Sequence, residues 1–79
     1  MDGVDLSVLA SKVLERLRVE ADGDDQRELT WSRAIDGIGN SYLESRRLLG
    51  FMLERGWIVR IGRDRVALTR RALRESQPS

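Results

Sequence analysis

Up to Gly56 the apolar residues of this chain recur at helical spacings, and beyond it they do not. That change of period confines the fold to an α+β arrangement, helices first and a small sheet after. Leu6, Leu9, Ala10, Val13, Leu14 and Leu17 stand three and four residues apart and form one apolar stripe. With Asp5 as N-cap, a first helix is predicted over residues 6–19, with Glu15, Arg16 and Arg18 on its solvent side. A compact second helix is expected over residues 31–36, capped by Thr30. It is stopped by Gly37-Ile38-Gly39-Asn40, whose two glycines can take positive φ. Ser41 opens a third helix that runs to Arg55. Ser41-Tyr42-Leu43-Glu44 fits a capping box, and Gly56 supplies the stop.

After Gly56, residues 57–61 (Trp-Ile-Val-Arg-Ile) are β-branched and aromatic, and residues 66–69 less strongly so. Gly62-Arg63-Asp64-Arg65 between them makes a tight turn, so the segment reads as a β-hairpin. Arg27-Glu28-Leu29 is short enough for a brief edge strand. Thr69 caps a last helix over residues 70–75, and residues 76–79 are expected to fray. With 79 residues and no linker, repeat or low-complexity tract, a single domain is expected over 1–79.

Composition removes whole classes of function. The chain has neither cysteine nor histidine, so thiolate or imidazole metal sites, disulfides and Cys- or His-based catalysis are excluded. The acidic loop after Ala21 is no calcium loop. Started at Asp22, an EF-hand needs Gly at its sixth position and Glu at its twelfth, where this chain has Arg27 and Arg33. Gly37-Ile38-Gly39 lacks the third glycine of a dinucleotide fingerprint, and no phosphate loop ending in Gly-Lys occurs. The serines have no histidine to activate them. No enzyme and no cofactor are expected. The longest apolar run, residues 48–53, is far too short for a membrane span, and the acidic start is unlike a signal peptide. A cytoplasmic protein without membrane contact is the expectation.

The net charge of +1 conceals a division. Residues 1–39 carry nine acids against five bases, a net of −4; residues 40–79 carry nine arginines against four acids, a net of +5. Such a split points to one basic working face. Thirteen of the fourteen bases are arginine, which suits bidentate contacts to phosphate and guanine.

The order helix, short strand, helix, turn, helix, hairpin resembles a winged helix-turn-helix domain of the small archaeal and bacterial regulator type. The likeness rests on Ile38-Gly39-Asn40-Ser41 at the turn and on Leu48, Leu49, Met52 and Leu53 in the third helix. It continues through Glu54-Arg55-Gly56-Trp57-Ile58-Val59 to Leu68-Thr69, and covers roughly residues 5–75. The wing is shorter than is common in the family, and Trp57 stands where the family often has Leu.

The resemblance implies a regulator that reads duplex DNA with its third helix in the major groove. A helical wheel turns Tyr42, Ser45, Leu49, Met52 and Leu53 inward, and Leu43, Arg47, Gly50 and Glu54 outward, with Glu44 and Arg46 on the flanks. Arg46 and Arg47 are the candidates for guanine or phosphate, Leu43 for a thymine methyl, and Gly50 for close approach of the groove wall. Ser41 offers an anion site at the start of the third helix, as do Thr30, Ser32 and Arg33 at the second. Arg60, Arg63 and Arg65 belong to the wing. Arg70 and Arg71 are set against the dipole of the last helix, which calls either for a nearby phosphate or partner carboxylate or, the favoured reading, for a short helix that starts late or hardly forms. A homodimer is expected, with Leu6, Val8, Leu14, Trp31 or Leu73 as possible contacts. The alternative is a winged-helix module that binds another protein through Leu43, Phe51, Glu44 and Glu54.

Overall fold

A computed structural model describes residues 5–38 and 41–75. Its elements are α1 (Leu6–Ala21), β1 (Leu29–Thr30), α2 (Trp31–Ala34), α3 (Tyr42–Glu54), β2 (Ile58–Arg60), β3 (Arg65–Leu68) and α4 (Arg70–Glu75), in the α+β order expected. Gly39 and Asn40 of the stop after α2, and the 76–79 tail, lie outside the described residues.

Asp5 caps α1 as expected. Its carboxylate accepts from the Ser7 N–H at 3.0 Å and the Ser7 hydroxyl at 2.8 Å. These bonds favour the ionised form and hold the Asp5 carboxyl below its ordinary range. The helix runs two residues past the predicted end because Ala21 continues the buried stripe of Ala10, Leu14 and Leu17. Asp22 then turns left-handed at φ 52, and its N–H closes on the Arg18 carbonyl.

α3 ends as predicted, in a Schellman turn. Gly56 sits at φ 74 and donates to the Leu53 carbonyl, and Trp57 donates to that of Met52. The hydrophobic contact that accompanies this motif is Phe51 against Trp57, edge to face at 6.2 Å. Trp57 is thus half-buried against the core, and β2 begins one residue later than predicted, at Ile58. Arg65 opens β3 instead of completing the turn. Thr69 accepts from the Ala72 N–H to cap α4 and donates to the Gly56 carbonyl, which ties α4 to the exit of α3.

The sheet has the order β1-β3-β2, all antiparallel, with Leu29 opposite Val66 and Ile58 opposite Leu68. β1 covers Leu29 and Thr30, shifted toward α2 from the expected edge strand. Val13, Leu17, Leu48, Met52, Ile58, Val66 and Leu68 fill the space between sheet and helices.

Two expectations need correction. α3 buries Leu48 and Met52, whereas Tyr42 is 75% exposed and Leu53 38% exposed. The wheel had centred the apolar stripe one residue too far round. Leu48 joins the buried core, and Tyr42 instead lines an open cleft beside α2. Among the residues considered for a dimer, Leu14 and Trp31 are buried and Leu6 and Leu73 pack on the core, leaving Val8 exposed.

These placements separate two leucines that sequence spacing treats alike. Leu48→Ala should cost about 2–5 kcal/mol of stability, and Leu53→Ala less than about 1 kcal/mol. Urea unfolding of both variants measures the difference, and equal losses would refute this orientation of α3.

Candidate nucleic-acid interface

The outward face of α3 carries Tyr42, Leu43, Arg46, Arg47, Gly50, Leu53 and Glu54, all exposed. The predicted outward set is therefore on one face, joined by Tyr42 and Leu53. Arg46 lies over the Tyr42 ring at 5.7 Å, so the ring steadies the guanidinium without consuming its donors. Arg47 has no hydrogen-bond or ion-pair partner among the described residues. The Ser41 hydroxyl oxygen accepts the Glu44 N–H at 3.1 Å, so it already serves its own helix. A Cβ built on Gly50 meets nothing within 4 Å. No neighbour in the fold requires glycine there, although mid-helix glycine costs about 0.5–1 kcal/mol relative to alanine.

α2 and the wing, the β2–β3 hairpin of residues 58–68, meet this face across a cleft of roughly 490 Å³. Ser32 from α2, Tyr42 and Arg46 from α3, and Arg60 and Arg63 from the wing all line it. Three of the expected arginines are thus brought together from two elements distant in sequence. The Arg60 guanidinium braces the wing turn, donating to the carbonyls of Gly62 at 3.3 Å and Arg63 at 3.4 Å. Arg63 keeps its side-chain donors uncommitted among the described residues. Arg65 is drawn elsewhere, to Glu28 at 3.0 Å, beside β1. Arg33 is exposed on α2 but does not line the cleft.

The start of α2 departs from expectation. Thr30 holds the cap position but makes no side-chain cap bond. Asp64, at the wing, supplies the acceptors. Its carbonyl takes the Trp31 N–H at 2.8 Å, and its carboxylate takes the Ser32 N–H at 3.1 Å and the Ser32 hydroxyl at 2.6 Å. Ser32, one of the groups expected to meet a phosphate, is therefore engaged by a carboxylate of the chain itself. At the other end of α2, Arg16, exposed on the solvent side of α1 as expected, also donates to the carbonyls of Arg33, Ala34 and Asp36 and so clamps the end of the helix. This clamp and Gly37 at φ 79 end α2 at Ala34, two residues early.

The acidic half also reaches the basic half. Asp25 lies 3.4 Å from Arg70, and the carboxylate near the start of α4 comes from the loop after α1. No external anion is needed to account for Arg70. Such exposed pairs are worth little in stability; Arg46, Arg47, Arg60 and Arg63 make none among the described residues.

Sequence reasoning missed Asp64 and Arg16 because their partners are far away in the chain. Asp64 and Ser32 are 32 residues apart, and neither position carries a local motif. Among the described residues no cluster of acidic side chains is arranged to hold a metal ion, and no helix is long and apolar enough to cross a membrane. Comparison with protein-family models, curated proteins and solved structures returns no match.

The open surface at Gly50 gives a direct check. Gly50→Ala should raise stability by about 0.5–1 kcal/mol in thermal or urea unfolding. A destabilised variant would show that the α3 face is packed rather than open.

Proposed function

We propose that this chain is a winged-helix DNA-binding protein, a transcriptional regulator that places α3 in the major groove and its wing on the phosphate backbone. The observation that carries this reading is the convergence of Arg46, Arg60 and Arg63 on one cleft, beside the exposed Arg47 and Gly50. Arginines at the α3 face suit guanine edges, and those of the wing suit phosphates. Gly50 supports the same reading, since an unfilled position on the helix lets a groove wall approach. Leu43, 65% exposed, is suited to a thymine methyl. The order of elements and the β1-β3-β2 sheet are in keeping with a winged helix.

In this reading the protein is cytoplasmic and works as a homodimer on two half-sites, because one small module covers little DNA. Val8, exposed on α1, is the remaining apolar candidate for the dimer contact.

A second reading has its own observation. Tyr42, Leu43 and Leu53 expose apolar surface on the same face as the arginines, which suits a protein partner. Salt separates the two. Phosphate contacts release counterions, so DNA affinity falls steeply as salt rises, with a slope of about −0.9 for each phosphate neutralised.

Titration of duplex DNA at several salt concentrations, for the parent and for a variant with Arg46 and Arg47 both changed to alanine, is the test. The DNA reading predicts steep salt dependence in the parent, at least roughly tenfold weaker binding in the variant, and a shallower slope by roughly 1–2. Unchanged binding in the variant would remove α3 as the reading element. Absence of duplex binding by the parent would favour the protein partner.

A further inference from the structure

Beyond the packing of α3 on β2, a chain of hydrogen bonds connects the wing turn to α3. Asp64 receives the Trp31 N–H on its carbonyl and both Ser32 donors on its carboxylate. Trp31 in turn donates its indole N–H to the Ser45 hydroxyl at 3.1 Å. Ser45 directly precedes Arg46 on α3. On the wing side, Arg63 directly precedes Asp64, and Arg60 is fastened to the Gly62 and Arg63 carbonyls. The path from Asp64 to Ser45 therefore joins the turn that carries Arg63 to the residue that precedes Arg46.

A carboxylate at this place is otherwise unfavourable. Asp64 lines the same cleft as Arg46, Arg60 and Arg63, where its charge opposes any polyanion. We propose that Asp64 is a positioning residue for the nucleic-acid surface: by latching the wing to Ser32 it aligns Arg60 and Arg63 with Arg46 on one phosphate-binding track. The inference rests on the DNA reading above and adds the element that sets the geometry of that surface.

Latch and charge make opposite predictions, so the sign of the effect decides. Were Asp64 only a surface charge, Asp64→Ala and Asp64→Asn would both bind duplex DNA more tightly, through loss of repulsion. As a latch, Asp64→Ala loses both Ser32 bonds, keeps only the backbone bond from the Trp31 N–H to the carbonyl of residue 64, and loosens the wing turn. Asp64→Asn keeps an oxygen for the Ser32 N–H and gains an amide that donates to the Ser32 hydroxyl oxygen, so it holds the wing without the charge.

The experiment measures affinity for a random-sequence duplex across a salt series, and amide hydrogen exchange at Trp31 and Ser32 in the free protein. The expected result for Asp64→Ala is roughly tenfold weaker binding, a salt slope lower by roughly 1, and faster exchange at Ser32. Asp64→Asn should bind at least as tightly as the parent with Ser32 still protected. Ser32→Ala, which removes only the hydroxyl bond, should move in the direction of Asp64→Ala, and the double variant should be no worse than Asp64→Ala alone. Ser32→Ala also keeps the test open should Asp64→Ala not fold. Faster exchange at Ser32 with binding equal to or tighter than the parent would overturn the positioning role alone, as would unchanged exchange. A parent that binds no duplex overturns the DNA reading itself.

Discussion

Trp31 is the joint on which the arrangement of this small domain depends. Its ring is buried in the core, its backbone N–H is held by the wing through Asp64, and its indole N–H is held by α3 through Ser45. A strand of two residues, such as β1, has little stability of its own. It persists because the residue that follows it buries a large aromatic surface and satisfies both of its donors. With Trp31 in place, β1 pairs with β3, the hairpin is fixed against the helices, and the cleft between α2, α3 and the wing acquires its shape.

The division of charge along the chain becomes, in three dimensions, a selection among arginines. The acidic half contributes Glu28 to Arg65 and Asp25 to Arg70, and α1 uses Arg16 to hold the end of α2. Arg55 is stacked over Phe51 at 4.8 Å. Arg46, Arg60 and Arg63 line one cleft without an ion pair among the described residues, and Arg47 is exposed beside Arg46 on α3. Carboxylates of the first half thus pair with two arginines of the second, Arg65 and Arg70.

Much of the fold was legible because its determinants are local. The Asp5 cap, the apolar stripe of α1, the Ser41 cap and the Gly56 turn each lie within a few residues of what they control. The order of elements followed from them. Errors arose where distant packing decides. The stripe of α3 could be centred on either side of Leu49 until the sheet covered Leu48, and the cap of α2 came from the wing rather than from Thr30. For the candidate interface, the outward placement of Leu43, Arg46, Arg47 and Gly50 was readable from helical periodicity. The separation of Arg65 from Arg60 and Arg63 was not, since it depends on Glu28 lying across the sheet.

The central claim is that one surface, formed by the outer face of α3 and the wing, meets duplex DNA. Mapping amide chemical shifts of the isotopically labelled chain during titration with duplex DNA tests it most directly. The account predicts shifts concentrated at Leu43, Arg46, Arg47, Gly50 and the wing around Arg63, with the outer side of α1 near Lys12 and Val19 unperturbed. Shifts centred on α1, or none at saturating DNA and low salt, would contradict it.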